Sequence, residues 1–517
     1  MATAQELLAK SLERLKKLHD SGQFVIASID LPAVDRKRLV KASFLTQVMR
    51  GWYLRTRPDD RDGDTAPWQA SWKEFVARYC ESRFQSNWYL SPEQSIHVHV
   101  ATPLPSRQII VHALAGKNNS TTLPHGWSIF DMKAAAFAVE TARENSGGVR
   151  VLSLAYALTQ VSEPFFRLQS ATAQLALEML ADTSDVALIL LADGKTVVAG
   201  RLVGALRAIG RNKEATDLLK TLVAAGLRII ETNPFDAPMT AINPAIKRSP
   251  YVMRIHQIWR NFRETIIEVF GDPPGMAANT SAYLADIDAR YVADAYNSLS
   301  IEGYTVTLEL IERVRSGAWN SLSEEDKRSR DALAAKGYYL AHMDVIKTIT
   351  RILAGEDAGT TLEKHFIDWN LALWKPSVQA GIVKAEQLAG YRNGPIYLRN
   401  ARHVPPPREA VRDSMPAFFK LLAEEPHAAV RAVLGHFIFV FIHPYNDGNG
   451  RLGRFIMNAM LASGGYPWTI VPVEHRAEYL AVLNDASGEG NIQPFAAFIH
   501  RLCQAQSAQS YTPRRSE

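Results

Sequence analysis

Near the C-terminal end, a strongly apolar segment runs into a glycine-rich loop that opens at once onto a second helical segment. The first segment covers about residues 426–441 and the second about 451–463. Between them stands His443-Pro444-Tyr445-Asn446-Asp447-Gly448-Asn449-Gly450-Arg451-Leu452-Gly453-Arg454. The loop therefore lies at a helix N-terminus. That position favours an anion, because unpaired backbone N–H groups and the positive end of the helix dipole point at whatever fills the loop. The apolar run, from about Ala428 to Ile442, is interrupted by Arg431 and His436 and is too short to span a bilayer.

The residue types in the loop suit one kind of chemistry. Gly448 and Gly450 let the backbone come close to a ligand. Asp447 offers hard oxygen ligation to Mg²⁺, Asn449 an amide to a phosphate oxygen, and Arg451 a guanidinium matched to phosphate. His443, beside this cradle, can take a proton from an incoming hydroxyl, which is general-base work at a pKa near neutrality. Together these parts describe phosphoryl or nucleotidyl transfer. In isolation, Asp-Gly-Asn-Gly is an ordinary turn and His443 an ordinary core histidine; the full twelve-residue combination reverses that reading.

As it stands, the stretch resembles the Fic family signature, His-x-Phe-x-Asp/Glu-Gly-Asn-Gly-Arg-x-x-Arg, with Tyr445 in place of Phe. The resemblance extends over about 290–505 and implies a mainly helical Fic fold with a β-hairpin flap. It implies ATP as co-substrate and Mg²⁺ as cofactor. His443 would deprotonate a Ser, Thr or Tyr hydroxyl of a target protein, and Asp447 would hold Mg²⁺. Gly448, Asn449, Gly450 and Arg451 would bind the α- and β-phosphates, AMP would be transferred, and pyrophosphate would leave. Arg454 would anchor the γ-phosphate, which argues against a kinase-like swap.

Upstream stands Ser298-Leu299-Ser300-Ile301-Glu302-Gly303, where Ser298 and Glu302 share one face if the segment is helical and Gly303 is placed to end it. It resembles the family's inhibitory helix, Ser/Thr-x-x-x-Glu-Gly/Asn, which implies an ion pair between Glu302 and Arg454 that removes the γ-phosphate anchor. A carboxylate there could instead orient a water for AMP removal. Tyr391 through Pro407 looks like the flap; Gly394, Ile396, Tyr397 and Leu398 would register an extended target segment by β-augmentation. Tyr479 occupies the place where relatives supply an aromatic near the adenine. His342, His365, His403, His436 and His475 fit no ligand spacing and read as structural or surface histidines.

At 517 residues the chain is expected to be multidomain. With 47% apolar and 21% charged residues, it is neither disordered nor fibrous. Two far-separated cysteines, Cys80 and Cys503, exclude a disulfide framework. The N-terminus lacks a signal-peptide pattern, so a cytoplasmic protein with no membrane segment is expected.

Residues 1–62 read as a winged helix. A helix over Glu6–Leu18, a strand at Phe24–Ile26, a helix opening at Asp35 and a hairpin turning at Arg50-Gly51 make up the pattern. Arg36, Lys37, Arg38, Lys41, Arg50, Arg55 and Arg57 form a basic stripe that would suit DNA phosphates or a merely solvated face. A polar linker at 57–64 precedes an α+β region over 66–235, with β-like runs at Ile96–Val100 and Gln108–Val111 and helices near 153–160, 170–181 and 214–226. Asp193-Gly194-Lys195-Thr196 imitates the end of a P-loop, but position 189 is Ile, so a plain turn is expected.

The stretches "LPAVDRKRLVKASFLTQVMRGWYLRT" and "LSPEQSIHVHV" resemble AbiEi-type antitoxin regulators, which implies a DNA-contacting or regulatory N-terminal half. After a Pro-containing break at 232–238, a helical Fic region is expected over 236–505, with the inhibitory helix at about 289–303, the catalytic core at about 330–505 and a polar tail at 506–517. Three function classes follow. The first is an autoinhibited protein adenylyltransferase. The second is a de-AMPylase or other nucleotidyl or phosphocholine transferase on the same scaffold. The third is a DNA-binding regulator with a nucleotide-sensing Fic domain. A homo-oligomer is compatible with all three.

Overall fold

The computed structural model describes residues 3–56, 58, 65–102, 106–134, 137–236, 239, 249–277, 279–318, 330–388, 390–398, 401 and 403–510. The chain divides into two compact units: residues 1–250 with 397–404, and residues 251–396 with 405–517.

The first unit begins with α1 (Ala4–Asp20), β1 (Val25–Ala27), α2 (Ala33–Lys41), β2 (Leu45–Met49) and β3 (Trp52–Arg55), the strands forming an antiparallel sheet in the order β1-β3-β2. A capping box at Thr3 and Glu6 starts α1. The hairpin turns at Gly51, as expected. Part of the basic stripe is already engaged: Asp35 pairs with Arg14 and Arg38, and Arg36 bonds Leu31 and lies over the Tyr53 ring. Arg57 and most of the 57–64 linker lie outside the described residues.

Next come α3 (Ala66–Phe84), β4 (Trp88–Leu90), α4 (Pro92–His99), β5 (Gln108–Ala113), β6 (Asn119–Thr122), β7 (Ser128–Lys133), β8 (Arg143–Ser146) and β9 (Val149–Leu152). A four-stranded sheet runs β4-β5-β7-β6, parallel only between β5 and β7, and β8 pairs with β9. The β-like run Ile96–Val100 is instead helical, in α4. Ser91 caps that helix by accepting from the Gln94 N–H, and Pro92 fills its first position, so cap chemistry overrides the local alternation. Helices α5 (Leu154–Gln160), α6 (Glu163–Leu168), α7 (Ser170–Met179), α8 (Ser184–Asp193), α9 (Thr196–Ala208) and α10 (Asn212–Ala224) follow. Asp193–Thr196 is the turn between α8 and α9.

The second unit is helical: α11 (Pro250–Phe270), α12 (Thr280–Ile301), α13 (Leu308–Arg315), α14 (Arg330–Leu353), α15 (Ala358–Gln379), α16 (Arg408–Glu424), α17 (Ala428–Ile442), α18 (Asn449–Ala462), α19 (Arg476–Gly488) and α20 (Gln493–Ser510). The apolar α17 is buried on nearly every face, as a helix without a polar stripe must be. Around it and α18 packs one continuous core that includes Tyr338, Trp369, Phe437, Phe439 and Phe455. Truncating a side chain such as Trp369, fully buried, costs about 3–5 kcal/mol. Part of the expected polar tail is thus helix, since α20 continues to Ser510; residues 511–517 lie outside the described set.

One expectation about this unit is corrected. Among the described residues of 391–396 and 405–407 no strand ladder forms, so the expected β-hairpin is not seen among them. Pro395, Pro405, Pro406 and Pro407 supply no N–H donors, and Arg392 pins the segment through backbone carbonyls instead.

Candidate active site

The loop between α17 and α18 is held by its own side chains. His443 ends α17 in the left-handed region (φ 51°, ψ 60°), and Gly448, also left-handed at φ 84°, caps the start of α18. Between them, Asn449 closes the loop on itself: its Oδ1 accepts from the Tyr445 N–H (3.0 Å) and its Nδ2 donates to the Tyr445 carbonyl (2.8 Å). That amide, expected to meet a phosphate, is committed to the loop, so Asn449 has its first-turn backbone N–H to offer an anion. The Tyr445 ring packs inward on Phe366, 6.2 Å between centroids and nearly parallel, which accounts for an aromatic of either kind here.

His443 Nδ1 lies 3.2 Å from the Val440 carbonyl. That contact requires the proton on Nδ1, which leaves the Nε2 lone pair free. Burial pushes the imidazole pKa down to about 4, helped by the Arg392 charge and opposed by the Val440 bond, Glu302 and Asp447. The ring is therefore neutral at physiological pH. Asp447 exposes half of its side chain, with Oδ1 3.5 Å from Arg451. The described residues hold no cluster of three or more metal-ligating side chains. A cation here would thus rest on one carboxylate and take its other ligands from water and phosphate, as Mg²⁺ commonly does.

Arg451 is almost fully buried, its guanidinium 5.1 Å from the Tyr304 ring and 5.0 Å from the Trp374 ring. Its Nε and Nη2 have no hydrogen-bond partner. Arg454 is held by α12: Nε donates to Ser298 Oγ (2.9 Å), and Nη2 to the Ser298 carbonyl (2.9 Å) and Glu302 Oε1 (2.8 Å). Its Nη1 has no partner. Buried donors in this state fit an anionic ligand rich in oxygen. Burial pushes the Glu302 carboxyl up, but Arg454 and Arg451 more than offset it and hold the pKa below the ordinary value.

Glu302 caps the C-terminus of α12, just before Gly303. A Cβ added at Gly450 would meet Glu302 Oε1 at 2.1 Å, so only glycine lets this carboxylate rest over the first turn of α18. The carboxylate stands where the helix terminus favours a negative charge.

Tyr479 lies within electrostatic reach of Arg454 and Glu302. It is buried in the core against Phe495 and Phe498, and its hydroxyl is 2.7 Å from His436 Nε2. His365 is paired with Asp368 within α15, His475, the N-cap residue of α19, with Glu478 in that helix's first turn, and His342 is buried. Gly394, Ile396, Tyr397 and Leu398 are in irregular chain. Sequence reading missed Tyr304 and Trp374 around Arg451, and Arg392 beside His443. Only Tyr304 carried a signal, by following Glu302-Gly303 directly.

The Fic/DOC family profile matches residues 363–461. This stretch is a Fic domain. A protein adenylyltransferase Fic from Nematostella vectensis is 27% identical over 296 residues, 55% of this chain and 62% of that protein. Its counterpart from Drosophila mojavensis is 30% identical over 226 residues, 43% of this chain and 41% of that protein. The chain thus spans less than two thirds of either relative. Among solved structures, Fic-1 (residues 134–508) from C. elegans covers 69% of this chain and 97% of its own, at 17% identity and a TM-score of 0.37.

Two buried histidines, His342 and His436, and the partly exposed His443 make the unit holding the Fic domain acid-sensitive. Burial pushes His342 down to about 3, and His436 and His443 to about 4, from an ordinary 6.5. Between about pH 6.5 and 4 the unfolded chain binds protons that the folded chain refuses, so stability falls as pH falls, by up to about 1.4 kcal/mol per histidine per pH unit. The low Glu302 pKa adds to this, whereas buried Asp294, raised to about 6, opposes it. The urea midpoint followed by tryptophan fluorescence should be clearly lower at pH 5 than at pH 7.5; an unchanged or higher midpoint would contradict the assignment.

Proposed function

We propose that this chain is an autoinhibited protein adenylyltransferase that moves AMP from ATP to a hydroxyl side chain of a target protein. The observation that carries the reading is the Glu302–Arg454 pair at the N-terminus of α18, one loop away from a neutral His443 with a free Nε2.

In the active state the N–H groups of Asn449, Gly450 and Arg451 and the Arg451 guanidinium hold phosphate oxygens at the helix terminus. Asp447 would hold Mg²⁺ through a carboxylate oxygen, and the ion would neutralise phosphate charge there. His443 Nε2 takes the proton of the target hydroxyl. The hydroxyl oxygen bonds to the α-phosphorus, the bond from that phosphorus to the α,β-bridging oxygen breaks, and pyrophosphate departs with the electron pair. Arg454, released from Glu302, pairs with the γ-phosphate and fixes the nucleotide for this displacement. While Glu302 keeps its place, carboxylate and triphosphate compete for the same guanidinium and helix terminus, and transfer is suppressed.

AMP removal is a second reading, favoured by the approach of Glu302 Oε1 to Gly450, where a carboxylate could orient water. Separately, Lys37, Lys41, Arg50 and Arg55, all exposed, are proposed to contact duplex DNA. Buried, unpaired Cys80 and Cys503 suit a cytoplasmic setting.

The test offers the full chain and a cell lysate ATP labelled at either the α- or the γ-phosphate, with Mg²⁺. Label retained on protein only from the α position identifies AMP transfer. Label only from the γ position would replace the reading with phosphorylation, and release of AMP from a pre-modified protein would favour removal.

A further inference from the structure

Arg392 is only 3% exposed and spends its donors on backbone carbonyls. Its Nε donates to the His443 carbonyl (2.8 Å), Nη1 to Gly394 (2.9 Å) and Nη2 to Pro406 and, at 3.5 Å, to Ile442. Its backbone N–H donates to the Pro444 carbonyl (2.9 Å). One residue thus grips three consecutive carbonyls at the end of α17 and ties them to both arms of the 391–396 and 405–407 segment.

The physical need for this grip is local. His443 takes a left-handed conformation without being glycine, which costs about 1–2 kcal/mol and survives only where neighbours over-determine it. The last carbonyls of α17 lack intrahelical partners, and a cation at a helix C-terminus satisfies them with both hydrogen bonds and charge. The planar guanidinium serves several acceptors in a fixed fork; an ammonium cannot reproduce that geometry.

We infer that Arg392 is a positioning residue that locks the backbone of His443 and couples it to the segment formed by 391–396 and 405–407. The activity arm of the test rests on the adenylyltransferase reading above; two other arms do not. Among charged groups facing the His443 ring, Arg392 disfavours its protonation while Glu302 and Asp447 favour it.

Arg392→Lys and Arg392→Met are compared with the unsubstituted chain. Hydrogen exchange should speed up at least ten-fold in 391–396 and 442–445 in both variants, with 449–462 unchanged. The His443 ring titration, followed by NMR, should lie lower in the lysine variant, which keeps the charge, than in the methionine variant, with burial holding both below the ordinary value. Combined with Glu302→Gly, Arg392→Lys should lower kcat by roughly ten- to hundred-fold with KM for ATP nearly unchanged, because small misplacement of a reacting group is costly. Unchanged exchange with equal titrations in the two variants would overturn the inference, as would exchange accelerated throughout the unit. If Glu302→Gly alone shows no transfer, the function reading fails, and the exchange and titration arms still decide the role of Arg392.

Discussion

Replacing Glu302 with glycine is expected to raise AMP transfer roughly 5- to 150-fold, the range that a coupling of about 1–3 kcal/mol produces. The side chain is lost without disturbing what holds Arg454. Both Ser298 contacts remain, at Nε and Nη2, so the guanidinium keeps its place while its charge is freed. The backbone tolerates the change, since Glu302 lies at a helix end with φ −80° and ψ 0°. Removing Glu302 also clears the first turn of α18, where Gly450 now admits the carboxylate. Glu302→Gln keeps the shape and removes the charge, and should fall between the two. The measurement is initial-rate labelling from α-labelled ATP at matched protein concentration; unchanged labelling in a folded Glu302→Gly protein would sink the inhibitory role.

The second large effect is a loss. In the Glu302→Gly background, substitution of His443 should lower transfer by roughly 10²- to 10⁴-fold, the usual contribution of a general base. Alanine is an imperfect probe, because position 443 is left-handed and alanine has no side chain to compensate there. Asparagine tolerates that conformation better, so His443→Asn is the paired variant. Both should bind ATP with nearly unchanged affinity, since nothing attaches the ring to the phosphate cradle. Calorimetric titration with ATP separates the outcomes: lost binding would move His443 from proton transfer to ligand binding, and residual full transfer would remove it from the mechanism.

The site was legible in unequal parts, and the difference follows the range of the interactions. Asp447, Gly448 and Gly450 could be read locally, because a loop at a helix N-terminus and the freedom of glycine depend on only a few neighbouring residues. Asn449 was legible as a loop residue, but not in which direction its amide would be spent, because a turn offers its own backbone as a competing partner. Glu302 and Arg454 stand 152 positions apart. No periodicity links them, and their pairing was anticipated by likeness to a known motif. Tyr479 was likewise singled out by likeness alone, and only the packing of α19 and α20 brings its hydroxyl to His436 and within reach of Arg454.

The sequence by itself determined the helix, glycine loop and second helix, together with the turn at Gly51 and the helical stop before Gly303, because each is encoded by backbone preferences and caps within one or two turns. Tertiary structure alone decided which buried groups meet. It set Arg451 between Tyr304 and Trp374, and gave His443 a low pKa through burial. It also closed Arg392 over three carbonyls at the end of α17. Desolvation and packing depend on what surrounds a residue in space, and neighbours distant in the chain supply most of that surrounding.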